Sequence, residues 1–254
     1  MSPALLTSLV WLVALLALFL AAQRWLHRQM HAILLMLTRR PNLALGLFSL
    51  VFFPGVFLHE MSHFLMARLL RVRTGRFSLL PKVMPDGTLR LGYVETARAD
   101  VLRDALIGTA PLLTGGAAVT LIGIYLMQVV PLFANLSTGQ WDLLWTGLAA
   151  LPEHPDFWLW FYLAFAISST MLPSVSDRRA WLPISIPLVV LTGLGLIAGA
   201  GPWMLDHLAP GLVALMQSLV MIFGISLAVH LVLGLPVGLA AALVSKLTGL
   251  RVVN

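Results

Sequence analysis

The sequence predicts an all-α membrane protein of about six transmembrane helices, with a small cytoplasmic β-hairpin after the second. Composition, run length and the charge of the connecting segments predict it. The chain has 254 residues, is 59% hydrophobic and only 10% charged, where a soluble domain averages about 25% charged residues. Mean hydropathy is +0.94. The uncharged runs are long enough to cross a hydrocarbon core of about 30 Å at about 1.5 Å per helical residue. The net charge of +6 is mostly arginine lying between those runs, and reads as topology marking, not as nucleic-acid binding. No cysteine is present, which excludes disulfides and thiolate metal ligands.

Residues 4–22 form the first run. No small-x-small cleavage site follows, so it reads as an anchor and not a removed signal peptide. Residues 23–41 (QRWLHRQMHAILLMLTRRP) mix basic and apolar side chains, as an amphipathic interfacial helix does. Within them His27 and His31 stand beside Arg24 and Arg28 and read as amphipathic surface. The second span is 42–67. Residues 76–96 follow as a hairpin: FSLLPKVM and TLRLGYVE flank the turn signal Pro85-Asp86-Gly87, and Leu89 and Leu91 alternate with polar or small neighbours. Spans three to five are 105–129, 157–176 and 180–205. The sixth runs from 211 to about 234, where Pro236 bends or ends it. Trp141, Trp158, Trp160 and Trp181 lie near the predicted boundaries, which suits an aromatic belt.

Basic residues orient the chain. Segment 68–103 holds Arg68, Arg71, Arg73, Arg76, Lys82, Arg90, Arg98 and Arg103. Arg178 and Arg179 follow the fourth span, and Lys246 and Arg251 the sixth. Segments 131–156 and 200–210 carry no Lys or Arg. The basic segments are therefore expected in the cytoplasm. Residues 23–41 break the alternation and fit as an outer-leaflet interfacial helix.

One stretch of the second span is costly in lipid. FLHEMSHFLM places His59, Glu60 and His63 within an apolar helix. With this chain's own composition an HExxH arises by chance about once in four hundred such sequences, and a carboxylate at membrane depth marks function by default. His59 and His63 are four residues apart, so both imidazoles lie on one helix face and can share one divalent ion. Glu60 is rotated by about 100° on a 3.6-residue turn. That makes it a poor third ligand and a good acceptor for a proton from water at the ion. Zinc is the natural ion for two neutral imidazoles and a carboxylate. The alternative is a structural His/Glu cluster.

A third ligand must lie at the same depth. His59 sits late in an out-to-in helix. The fourth span also runs out-to-in and leads to SSTMLPSVSD, with Asp177 last. Asp142, Asp156 and Asp206 fall on the opposite side. Asp86 is accounted for by the hairpin turn and Asp104 by a helix start. The other reading of Asp177 is a boundary carboxylate neutralised by Arg178 or Arg179.

These features together resemble the site-2 proteases, which are intramembrane zinc metalloproteases. The resemblance rests on HEMSH inside a transmembrane helix, a hairpin just after it, a following span opening IGTAPLLTGG with Ala110-Pro111 and Gly115-Gly116, and a later aspartate on a parallel span. It covers 42–177, which it makes a three-helix metalloprotease core between an N-terminal unit, 1–41, and two C-terminal helices, 178–254. It implies His59 and His63 as zinc ligands, Glu60 as catalytic base and Asp177 as the intramembrane aspartate. Arg178 stands where the family usually has glycine after that aspartate, and the usual upstream asparagine is absent. Ser168, Ser169, Thr170 and Ser174 are there to supply hydrogen bonds instead. No PDZ or CBS domain is inserted.

The resemblance further implies hydrolysis of peptide bonds in or near transmembrane segments of substrate proteins. The hairpin edge would take the unwound segment as an added strand; the alternative is a plain loop. A multi-pass protein of a bacterial or archaeal-type membrane follows, with its site toward the cytoplasmic leaflet and room for a regulatory membrane partner. Two other classes are carried beside it. A metal-ion transporter would use His59, His63 and Asp177 as a transit site, but needs no base at Glu60 and often shows an inverted repeat, which this sequence lacks. A haem-bearing protein would need opposed histidines, for which only His59, His63 and His230 qualify; His230 reads better as a packing or hydrogen-bonding group. Pro54-Gly55, one turn before His59, either loosens the helix to admit water or serves packing.

Overall fold

Between Pro3 and Pro41 the chain contains neither Gly nor Pro, and nothing stops a helix once it has begun. In a computed structural model, which describes residues 3–83 and 89–250, helix α1 (Pro3–Thr38) accordingly runs 36 residues unbroken. The expected division into an anchor and a separate interfacial helix is not found. His27 packs edge-on against Phe48 and Phe52, and His31 against Phe48, while Arg24 and Arg28 stay exposed, so the two histidines lie on the packed side of this helix. Arg39 turns the chain with φ of 53°, and Pro41 opens helix α2 (Pro41–Val51).

Helix α3 (Phe53–Leu69) follows at an angle of 71° to α2. Pro54 lies in its first turn. It has no N–H for the carbonyl four residues back, so continuous helix fails there. The Tyr162 hydroxyl donates to the Val51 carbonyl at this bend (2.9 Å). Gly55 then lets α3 lie directly on a later helix: a side chain there would meet the Ala166 carbonyl and the Thr170 hydroxyl. Pro54-Gly55 thus serves packing.

The hairpin region forms two short antiparallel ladders. Strand β1 (Thr74–Ser78) pairs with β4 (Tyr93–Thr96), aligning Phe77 with Val94, and β2 (Lys82–Val83) pairs with β3 (Leu89–Arg90). The Pro85-Asp86-Gly87 turn lies outside the described residues. Leu91 falls in the break between β3 and β4, and with Leu79 it packs against the main apolar core.

Helix α4 (Val101–Leu121) begins at Asp100, whose carboxylate accepts from the Arg103 N–H (3.0 Å). It continues through a π turn, Ile122–Leu126. Helices α5 (Val130–Ser137) and α6 (Trp141–Ala150) lead to α7 (Phe157–Thr170). Helices α8 (Trp181–Ile197) and α9 (Gly201–His207) meet at 119°. Helix α10 (Ala209–Thr248) runs 40 residues, straight past Pro236, and ends at Gly249 with φ of 68°. Pro236 therefore does not end it. In an apolar solvent, breaking the helix would expose more polar backbone than the single bond proline removes.

By length and composition three helices could cross a membrane: α1, α4 with its π turn, and α10. Counting each bent pair, α2–α3 and α8–α9, as one span makes five. The expected fourth span, 157–176, is found only as α7, a shorter apolar helix. Its 14 residues reach roughly 21 Å at about 1.5 Å each, short of a core of about 30 Å. Pro173, three residues beyond Thr170, prevents further helix. Helices α3, α4 and α7 pack around Phe52, Val56, Val119, Phe161, Phe165 and Met171. Helix α1 lies along α10, with Phe19 stacked on Phe223. Long apolar side chains of α8 such as Leu182, Val189 and Leu191 face outward, as expected of a surface meeting lipid.

Candidate metal centre

Helix α3 holds His59 and His63 one turn apart, and their Nε2 atoms approach to 3.2 Å. Asp177 completes a triangle. Its Oδ2 is 3.6 Å from His59 Nε2 and its Oδ1 is 3.4 Å from His63 Nε2. One ligand atom from each residue lies within 4.8 Å of the others. A tetrahedral ion with bonds of about 2.1 Å has ligand–ligand edges of about 3.4 Å. The three side chains could therefore hold one metal ion.

The other ring nitrogens explain why both Nε2 atoms are presented. His59 Nδ1 lies 2.7 Å from the Thr170 carbonyl oxygen, and His63 Nδ1 lies 2.8 Å from that of Ile107. A carbonyl can only accept, so Nδ1–H is the donor in each ring. In a neutral imidazole the lone pair is then on Nε2. Two such lone pairs at 3.2 Å repel unless a cation lies between them. Backbone anchoring of the distal nitrogen is the usual way a ligating histidine is oriented.

Asp177 is seven residues beyond the end of α7, in a turn. The Ser174 N–H donates to its Oδ2 (2.7 Å), and its own N–H donates to Ser174 Oγ (3.3 Å). Gly108 of α4 lets the Asp177 carbonyl pass where a side chain would block it. The neighbouring arginines are engaged elsewhere: Arg178 Nε donates to the Ser174 carbonyl (3.3 Å), and Arg179 pairs with Asp104 (2.9 Å). The boundary-carboxylate reading thus loses to the one in which Asp177 faces the imidazoles. Burial works to raise the Asp177 pKa, but hydrogen bonding with the His59 and His63 side chains and with Ser174 outweighs it, holding the carboxyl well below its usual range.

Glu60 is only 7% exposed, and the hairpin lies against it. A Cβ at Gly92 would sit 2.9 Å from Glu60 Cγ and 3.1 Å from both the Ser78 carbonyl oxygen and Val56 Cγ1. Only hydrogen fits there. Gly92 and Ile107 are contributors that sequence reasoning missed; Thr170 and Ser174 were named as hydrogen-bond suppliers, but Thr170 serves through its carbonyl and Ser174 through both its N–H and its Oγ. An isolated glycine in a strand pattern signals close backbone approach, so Gly92 was findable. The carbonyls of Ile107 and Thr170 carried no signal, because every residue has one.

His230 stands apart from this group. Its Nε2 is 3.1 Å from Ser169 Oγ and its Nδ1 is 2.7 Å from the Ser226 carbonyl, while Gln23 Nε2 donates to the Ser169 carbonyl (2.6 Å). The hydrogen-bonding role expected of His230 holds. Asp86 lies outside the described residues. Comparison with known protein families, curated proteins and solved structures finds no match.

Proposed function

We propose that the chain is an intramembrane zinc endopeptidase of the site-2 protease type, cleaving transmembrane segments of other proteins near the cytoplasmic leaflet. The observation that carries the reading is a buried glutamate beside two imidazoles that share one donor space with a carboxylate. Two neutral nitrogens and one carboxylate oxygen suit zinc in its catalytic form, with the fourth position open. When bound, zinc would polarise a peptide carbonyl and acidify a water molecule.

The rest falls to the chain's own residues. His59, His63 and Asp177 hold the ion, and their backbone partners fix its place. Glu60 takes one proton from the attacking water as the water oxygen bonds to the carbonyl carbon. It gives that proton to the amide nitrogen as the C–N bond breaks, and so ends unchanged. A substrate helix must unwind first, since its carbonyls are held in helix bonds. The outer edges of the two-stranded ladders offer backbone partners for the unwound stretch, and Gly92 brings that sheet against Glu60.

A transport site would make no use of Glu60. Co-expression with tagged single-span membrane proteins tests the point. Wild type should release a fragment and Glu60→Gln should not. Equal fragment release by both would overturn the proposal.

A further inference from the structure

Each carbonyl in an α-helix accepts from the N–H four residues on. Four beyond Ile107 in α4 is Pro111, which has no N–H. The Ile107 carbonyl is thereby deprived of its helix donor in a place closed to water, since both residues are buried. A buried carbonyl must find another partner, and His63 Nδ1–H is there at 2.8 Å. His59 is served in a parallel way. Its anchor, the Thr170 carbonyl, would take the Ser174 N–H if α7 continued, but that N–H lies 2.7 Å from Asp177 Oδ2.

We infer that Pro111 is a positioning residue of the metal centre: by withholding an N–H it frees the Ile107 carbonyl to fix His63 with its proton on Nδ1 and its lone pair on Nε2. The inference rests on the metal-binding part of the proposed function, and needs neither protease activity nor a known substrate. It also gives a reason for proline at this point of α4. Proline is the least favourable residue in a helix interior, so alanine would stabilise the helix itself while returning the Ile107 carbonyl to it.

Zinc affinity of the purified full-length protein, measured by chelator competition, tests this together with imidazole 15N signals of the metal-free form in lipid. In Pro111→Ala, affinity should fall roughly 10- to 100-fold, without loss of thermal stability. The His63 signals should shift from one tautomer to a mixture. Replacing residue 111 by the α-hydroxy analogue of alanine, which lacks the N–H as proline does, should restore both. Pro187→Ala, at the proline inside α8, should change neither. Unaltered affinity and tautomer in Pro111→Ala would overturn the inference, as would an ester analogue that behaves like alanine. Should Pro111→Ala not fold, the ester analogue decides alone: wild-type affinity supports the inference and a tenfold loss overturns it. Wild-type zinc that persists in His59→Ala/His63→Ala would remove the metal centre itself, and this inference with it. That outcome is distinct from a zinc site that depends on both histidines but ignores Pro111.

Discussion

At the scale of single residues, side-chain chemistry fixes what the site can hold and backbone contacts fix where. His59 and His63 were legible because four residues is one helix turn; Asp177 was reached through a span at 157–176 that α7, at 14 residues, is too short to form. What could not be read was the support. Ile107 and Thr170 act through carbonyls and Ser174 through its N–H, none of which depends on residue type, and only the Ser174 Oγ, which accepts from the Asp177 N–H, is a hydroxyl the sequence offered. Gly92 offers a test at this scale. The methyl of Gly92→Ala would press on Glu60 Cγ. A displaced base costs far more than its strain energy, so cleavage should fall roughly 10- to 100-fold while metal analysis still finds the wild-type zinc content. Wild-type cleavage in that variant would mean that the hairpin does not position Glu60.

At the scale of elements, proline and glycine decided most of what the hydrophobic pattern left open. Absence of both made α1 one helix where a change of composition suggested two. Pro54 bends α2–α3, and Pro173 ends α7 so early that Asp177 sits in a turn and not at a helix end. Pro236 did not end α10, which runs on past it in surroundings that would give unpaired backbone nothing to bond. The hairpin was legible as alternating strands around a turn, but not its split into two ladders, since the break follows from Leu91 packing inward and Gly92 meeting Glu60. Its proposed role gives a prediction about substrates. Recognition through backbone pairing is tolerant of side chains and sensitive to helix stability. Gly or Pro placed near a substrate's cut site should therefore raise the cleavage rate and Leu-rich replacement should lower it, as followed by fragment release over time. The reverse order would exclude strand addition.

At the scale of the molecule, α1 packs along α10, α10 packs on α4 and α7, and a buried polar contact set, Gln23–Ser169–His230, ties α1 and α10 to α7. Apolar composition made the membrane class legible. It did not fix the number of spans, because a run of uncharged residues does not reveal where a helix stops or bends. In His230→Ala, Ser169 Oγ loses its imidazole partner in the interior. Unfolding in mixed micelles should show a loss of about 1–2 kcal/mol, with zinc content unchanged because His230 is not a ligand. A loss of zinc there would show that the outer helices shape the metal centre directly.

In the proposed function His59, His63 and Asp177 hold zinc for a reaction in which Glu60 moves the proton. Purified wild type and Glu60→Gln, each reconstituted in lipid with one single-span substrate, test it when zinc content and fragment release are measured on the same samples. About one zinc per chain is expected in both, with cleavage in wild type and a loss of roughly 10²- to 10⁴-fold in Glu60→Gln. Zinc bound equally in both, with cleavage equal in both or absent from both, would contradict it.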